Sequence, residues 1–311
     1  MRCARWVLVV AMLGGGCLRV GAQASAMPSA QVSGEEGKSG RELMEAMVAA
    51  LGGEAWLGRK TWVMQGRVAK FYKGQAEVGS PEFGEYGRMN PFGERFVVVS
   101  HYGALVAKDH RDVAQVWTAD GGWEITYKGS RALGAKEVED FERGRAHSLE
   151  VVVGQWLGQK DTEVRVVGTQ LVESELVDEV GVVSASGDSV EVMMDAQTHL
   201  PVSVSWRYRD AEFKDWDTDE VEFADYHAVQ GVMTPYSVTT LHNGDKTGER
   251  FLTKVVYNVA VAEGVFDPRG GLREGHAQIA YPGRWGKLRT AGEVSTADSR
   301  QGADGGIPWN D

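Results

Sequence analysis

Cysteine is almost missing from this chain: only Cys3 and Cys17 occur in 311 residues. Both lie in an N-terminal segment with the composition of an export signal. A chain cut after that segment has no disulfide, no thiol nucleophile and no Cys-bound zinc or iron–sulfur cluster. Its stability must come from burial. Long apolar runs are missing too. Trp6 to Leu13 is only eight residues long, whereas a spanning helix needs about 20, and no later stretch is longer, so the protein is expected not to span a membrane. Positive charge is scarce: 33 Lys and Arg stand against 44 Asp and Glu, a net charge of −11. Nucleic-acid phosphates and anionic membrane surfaces repel such a chain, which excludes nucleic acid as a partner. No repeat of fixed period is visible, against a solenoid or propeller.

The N-terminal segment has three parts. Arg2 and Arg5 supply positive charge, Trp6 to Leu13 the apolar stretch, and Ala22-Gln23-Ala24 the small residues that a signal peptidase requires. Residues 1–24 are therefore read as a cleaved signal peptide and the protein as periplasmic. The alternative of an uncleaved anchor is opposed by Gly14 to Gly16, which end the apolar stretch early. Lipid attachment at Cys17 is a further alternative, after Gly15-Gly16. The aliphatic residue that motif wants three positions earlier is Gly14, with Leu13 one place too far. Cleavage after Ala24 removes three arginines and no acid, taking the net charge to −14.

Residues 25–38 are small and polar, a flexible leader. Ser39-Gly40-Arg41-Glu42 fits a capping box. Leu43, Met44, Met47, Val48 and Leu51 follow at helical spacing, and Gly52-Gly53 stops the helix. A short turn, Glu54 to Arg59, leads to the first strand. From Thr61 the period becomes two: Trp62, Met64, Gly66 and Val68 share a face, opposite Gln65 and Arg67. Val202, Val204, Trp206 and Tyr208 alternate with Ser203, Ser205, Arg207 and Arg209. Phe251, Thr253, Val255 and Tyr257 alternate with Leu252, Lys254, Val256 and Asn258. Such alternation predicts a half-buried antiparallel sheet of ten or so strands. Asp120-Gly121-Gly122, Ser186-Gly187-Asp188 and Asn243-Gly244-Asp245 mark turns. One interruption stands out. From Ala135 to Leu157 the residues Val138, Phe141, Ala146, Leu149, Val152, Val153, Trp156 and Leu157 trace a long helical stripe, with Glu139 and Arg143 paired outside it. Residues 39–268 form the folded domain, and the Gly-rich residues 269–311 an irregular tail.

Motifs of catalysis are not found. There is no Gly-x-Ser-x-Gly elbow and no His-Glu-x-x-His helix. The histidines His101, His110, His147, His199, His227, His242 and His276 are scattered, so no metal site is expected. Gly37-Lys38-Ser39 imitates the end of a phosphate loop, but Val32 stands where the first glycine belongs. Asp215, Asp217 and Asp219 start like a calcium loop. Glu220 then replaces the turn glycine and Tyr226 the bidentate acid, so the run is expected to be an acidic solvated loop leading into a strand. No cofactor is implied. Of ten tryptophans, Trp62, Trp117, Trp123, Trp156 and Trp206 fall in expected strands or the long helix. Most would be core, and some would line a cavity.

The order of these blocks carries a resemblance. A first helix ends in Ala50-Leu51-Gly52-Gly53-Glu54-Ala55-Trp56. Gln115 to Ile125 form a mid-chain hairpin, Val190 to Asp195 turn through Ala196 to Val202, and Phe223-Ala224-Asp225-Tyr226 precedes Gly231 to Tyr236. The series closes at Phe266-Asp267-Pro268. Over roughly residues 40–268 the chain resembles the periplasmic outer-membrane lipoprotein-sorting superfamily, the Lol-type carriers. The resemblance implies a mainly β (α+β) fold: a single curved antiparallel sheet forming an unclosed barrel, covered by one or two helices. It also implies a non-enzymatic carrier of a lipid or of a lipidated protein, whose acyl chain lies in the apolar hollow. No ligand residue carries over, because that hollow has no fixed motif. From the stripes above, Trp62, Met64, Val204, Trp206 and Tyr208 on strands, with Phe141, Leu149 and Trp156 on the helix, are the candidate lining. The other reading is a structural envelope protein that binds a protein partner and fills its hollow with its own side chains.

Overall fold

The computed structural model describes residues 39–77, 79–99 and 112–270. The expected signal peptide, the leader and all of the tail beyond residue 270 lie outside the described residues. Helix α1, Gly40–Leu51, starts as its sequence dictates. The Glu42 amide donates to the Ser39 hydroxyl, and the Glu42 carboxylate receives the Ser39 amide. Gly52, at φ 120°, closes the helix in the left-handed conformation that glycine adopts most readily. The expected turn after it is instead a short helix, α2 (Glu54–Leu57), which buries Trp56.

The remainder is one antiparallel sheet of 14 strands. They are β1 (Thr61–Tyr72), β2 (Gln75–Ala76), β3 (Glu82–Arg88), β4 (Gly93–Val99), β5 (Val113–Thr118), β6 (Gly121–Thr126), β7 (Gly129–Ala132), β8 (Glu163–Val172), β9 (Glu175–Val183), β10 (Ser189–Asp195), β11 (Pro201–Arg209), β12 (Trp216–Val229), β13 (Val232–His242) and β14 (Asp245–Tyr257). Their order is β7-β6-β5-β4-β3-β1-β14-β13-β12-β11-β10-β9-β8, with β2 beside β1. The first strand therefore pairs with the last. The sheet's two free edges, β7 and β8, are consecutive in sequence and would meet if it closed into a barrel. It does not close. The chain crosses from one edge to the other through helix α3 (Ala135–Ala146), helix α4 (Leu149–Val151) and a π-helical turn (Val152–Trp156). The expected turns after β5, β9 and β13 all occur.

Three readings of the sequence need correction. The long helix from Ala135 to Leu157 is broken at His147, because the Ser148 hydroxyl receives the Val151 amide and caps a new helix start. None of α3's residues is buried, and Ala146 is exposed. The acidic run from Asp215 is strand already from Trp216 rather than a loop that leads into one: Asp217 and Asp219 lie on β12, bonded to Asn243 and His242. Strand alternation also slips at bulges. One at Gln65/Gly66 puts Leu252 inside and leaves Phe251 42% exposed. Another at Met193/Met194 leaves Val202 outside the core that Val204 joins.

Burial divides into two cores. The larger lies on the face covered by helices. Leu43, Met44, Met47 and Leu51 of α1, with Leu149, Val152 and Trp156, meet Val180, Val192, Met194, Val204, Val232 and Val255. The smaller lies on the opposite face of β1 and β3–β6. There Val63, Tyr86, Val97, Ala114, Val116 and Ile125 are covered by Val265 and Phe266 of a C-terminal 3-10 turn, Glu263–Phe266. Buried Arg95 donates to the Val265 carbonyl oxygen (3.2 Å) and ties that turn to β4.

Candidate functional site

Antiparallel partners share a face, so pairing identifies what faces the helices. Tyr257, Trp62, Gly87, Glu94, Trp117 and Gly122 form one row across β14, β1, β3, β4, β5 and β6. Two glycines in this row act by their size. A Cβ on Gly87 would lie 1.9 Å from the Trp62 ring, and one on Gly122 2.2 Å from the Trp117 ring. Both indoles therefore lie flat across neighbouring strands.

One step along, Met64, Glu85, Phe96 and Gln115 make the next row. Glu85 is buried but satisfied: Trp62 Nε1–H donates to Oε1 (2.7 Å) and Arg250 to Oε2 (2.8 Å). Glu94, half-buried beside it, has its carboxyl pushed up to about 8. Burial is the main cause and the Glu85 charge the second, with Arg250 and Arg145 pulling the other way. At neutral pH Glu94 is therefore mostly protonated. The inner wall here is apolar and aromatic around one half-buried ion pair and one neutral acid.

On the other side of the sheet the same face carries Val204, Trp206 and Tyr208. Trp206 is 6% exposed, Tyr208 is half-buried, and Arg207 points to solvent. Helix α3 reaches both sides. His147 stacks on Trp206 (centroids 5.4 Å, 14°), and the Arg143 guanidinium lies 3.7 Å above the Tyr208 ring. Towards β5, Phe141 stacks on Trp117 (3.9 Å, 4°), and Arg145 lies over Phe92 (4.3 Å). On the same face Phe96, Leu252, Val221, Phe223 and Tyr208 are only half-buried.

The structure thus brings Val204, Trp206, Leu149 and Trp156 into the helix-side core, with Trp62, Met64 and Tyr208 at its margin. Phe141 belongs elsewhere, in the aromatic pair with Trp117. Glu85, Glu94, Trp117, Arg143 and Arg250 were not among the residues expected from sequence. The small residues paired with Trp62 and Trp117 were the local sign of rings lying flat. Among the described residues no group of three or more His, Cys, Asp or Glu side chains is placed to hold a metal ion. No described helix is long and apolar enough to cross a membrane.

The fold is that of an unclosed, helix-covered antiparallel half-barrel. No family model and no curated protein matches the sequence. Solved structures similar to this chain include a DUF1329 family protein of Desulfovibrio piger, at 12% identity over 73% of this chain and 95% of that one (TM-score 0.49). A putative outer membrane lipoprotein-sorting protein domain of Vibrio parahaemolyticus aligns at 12% identity over 73% and 95% (TM-score 0.44). A LolA superfamily protein of Nitrosomonas europaea aligns at 7% identity over 74% and 98% (TM-score 0.41). Two of these names carry the superfamily that the sequence resembles. At such identities and scores, nothing about ligand or partner passes from them to this chain.

Proposed function

We propose that this protein is an exported, non-enzymatic carrier or binder that holds the acyl chain of a lipid or lipidated protein against the helix-side face of its sheet. One observation carries the reading. On the helix-side face the apolar residues Phe96, Val221, Phe223 and Leu252 are left half-covered, while α3, which touches Tyr208 on one side and Trp117 on the other, buries no residue of its own. Exposed apolar surface of this kind is stabilised by an apolar occupant. An acyl chain of about 16 carbons gains on the order of 10 kcal/mol on leaving water, at about 0.8 per methylene. The export signal and the mature charge agree with a periplasmic protein held away from membrane surfaces.

A second reading has its own support. Met44 and Met47 are wholly buried over the α1 end of the same face, which the chain fills by itself. If the remainder closes likewise, the protein is a structural or partner-binding envelope component. Native mass spectrometry of protein purified from its own envelope separates the two, with titration of a fluorescent fatty acid. A co-purifying lipid mass and saturable uptake support the carrier. A ligand-free protein that takes up no fatty acid rules it out.

A further inference from the structure

The seam between α3 and β11 holds donors that the protein leaves unsatisfied. The Trp206 indole N–H is buried and no protein atom accepts its hydrogen bond. The Arg143 Nε–H is buried without a partner in the same way, although the terminal nitrogens of that guanidinium are engaged by Glu139 and Asp140 on α3. The two donors lie in one layer. Arg143 sits on the Tyr208 ring, two residues along the same strand face from Trp206. Gly144, beside Arg143, turns bare backbone to the Cζ2 edge of that indole, the edge next to its nitrogen.

The indole is also held in place. His147 stacks on it, and His147 Nδ1 lies 2.7 Å from the Arg143 carbonyl oxygen. A carbonyl oxygen only accepts, so Nδ1 carries the proton and the ring is anchored to the helix. A buried donor without an acceptor costs free energy, and such a cost marks a position that an outside partner completes. The nearest acids on β12, Asp217 and Asp219, are occupied by Asn243 and His242. Tyr208 stays protonated at neutral pH: burial and then the Asp219 charge push its hydroxyl up to about 12.

We infer that this seam is the head-group subsite of the hollow, built to hydrogen-bond an acceptor oxygen, a carboxylate or an ester carbonyl, at the end of an acyl chain. The inference rests on the carrier reading and adds to it the chemistry of the head. Two unsatisfied donors lie in that seam and the apolar face runs on from Trp206 to Val204, so chain and head are bound by neighbouring parts of one surface.

The test uses the mature chain and three probes: palmitate, methyl palmitate, and hexadecane delivered from cyclodextrin, each displacing a fluorescent fatty acid. Palmitate or methyl palmitate is expected to bind about tenfold or more tightly than hexadecane, tenfold being about 1.4 kcal/mol. A preference between those two identifies carboxylate or ester. Trp206→Phe keeps a ring and removes the N–H. It should lose that advantage, weakening palmitate or methyl palmitate binding far more than hexadecane binding, and Arg143→Met should act in the same direction. In wild-type protein the Trp206 indole N–H resonance should move downfield with palmitate and not with hexadecane, a readout that needs no variant to fold. If all three probes bind alike and the resonance stays still, the subsite is refuted while the carrier reading stands. If no probe binds, both fail.

Discussion

The two halves of the sheet bury opposite faces. In β9–β11, β13 and β14 the buried apolar residues other than Val177 point to the helices, and on β10 and β11 the other face meets water at Glu191, Arg207 and Arg209. In β3–β6 the buried aliphatic residues point the other way, to Val265 and Phe266, while the helix face carries Glu85, Glu94, the buried Phe83 and flat indoles. Strand β1 serves both, with Val63 in one core and Trp62 and Met64 beside the other. The difference shows how an unclosed barrel keeps an internal surface without collapsing onto it. One wall is held by helices from inside. The other is held from outside, which leaves its inner side free to carry polar groups and half-buried aromatics.

The strongest challenge to this comparison deletes one large side chain from each core. Trp206→Ala and Phe266→Ala should each cost about 3–5 kcal/mol, read as a fall in the midpoint of thermal unfolding. Only Trp206→Ala should also weaken uptake of fluorescent fatty acid in the folded protein. Equal loss of uptake in both variants would show that the outer core shapes the ligand face as much as the inner one does.

Titration tests the polar wall. The Glu94 carboxyl is raised from its ordinary value near 4.5 to about 8, so the folded protein holds a proton that the unfolded chain releases. The stability it contributes is complete below about pH 4.5 and is lost as the pH rises through 8. Denaturant unfolding at pH 5 and pH 8 should therefore show a decline on the order of a few kcal/mol, and Glu94→Gln should flatten it. An unchanged pH slope in Glu94→Gln would place this acid in water, and the wall would not be the desolvated surface described.

Smaller effects sharpen the boundary between the halves. Ser39→Ala removes the cap of α1 and should cost about 1 kcal/mol, seen in a lower denaturation midpoint with an unchanged slope. Arg207→Ala, on the wet side of β11, should stay within about 0.5 kcal/mol. A large loss there would mean that the outer face of β11 is covered, and the contrast with β3–β6 would disappear.

Much of the fold was legible because its signals are local. The α1 capping box spans four residues, and the turns at Asp120-Gly121, Ser186-Gly187 and Asn243-Gly244 declare themselves by composition. Strand β11 displayed its inner face, since Trp206 and Arg207 differ so sharply in polarity. Strand β4 concealed its own: Gly93, Arg95, Val97 and Val99 go one way and Glu94, Phe96 and Val98 the other, with a charge in each set. The break at Ser148 was locally encoded too, yet the apolar residues on both sides of it continue one stripe and mask the cap. The pairing behind the outer core had no local sign, because Arg95 and Val265 are 170 positions apart.

By itself, then, the sequence determined the helix starts, the turns, the antiparallel class and the acidic character of the chain. Each of these follows from residues within a few positions of one another, or from composition. Only the tertiary structure decided that the sheet stays open between β7 and β8, that its halves bury opposite faces, and that Trp206 and Arg143 keep unsatisfied donors in one seam. Those outcomes depend on which distant segments compete to cover the same surface. Alternation along a strand separates two faces, but it does not say which of them another part of the chain will reach.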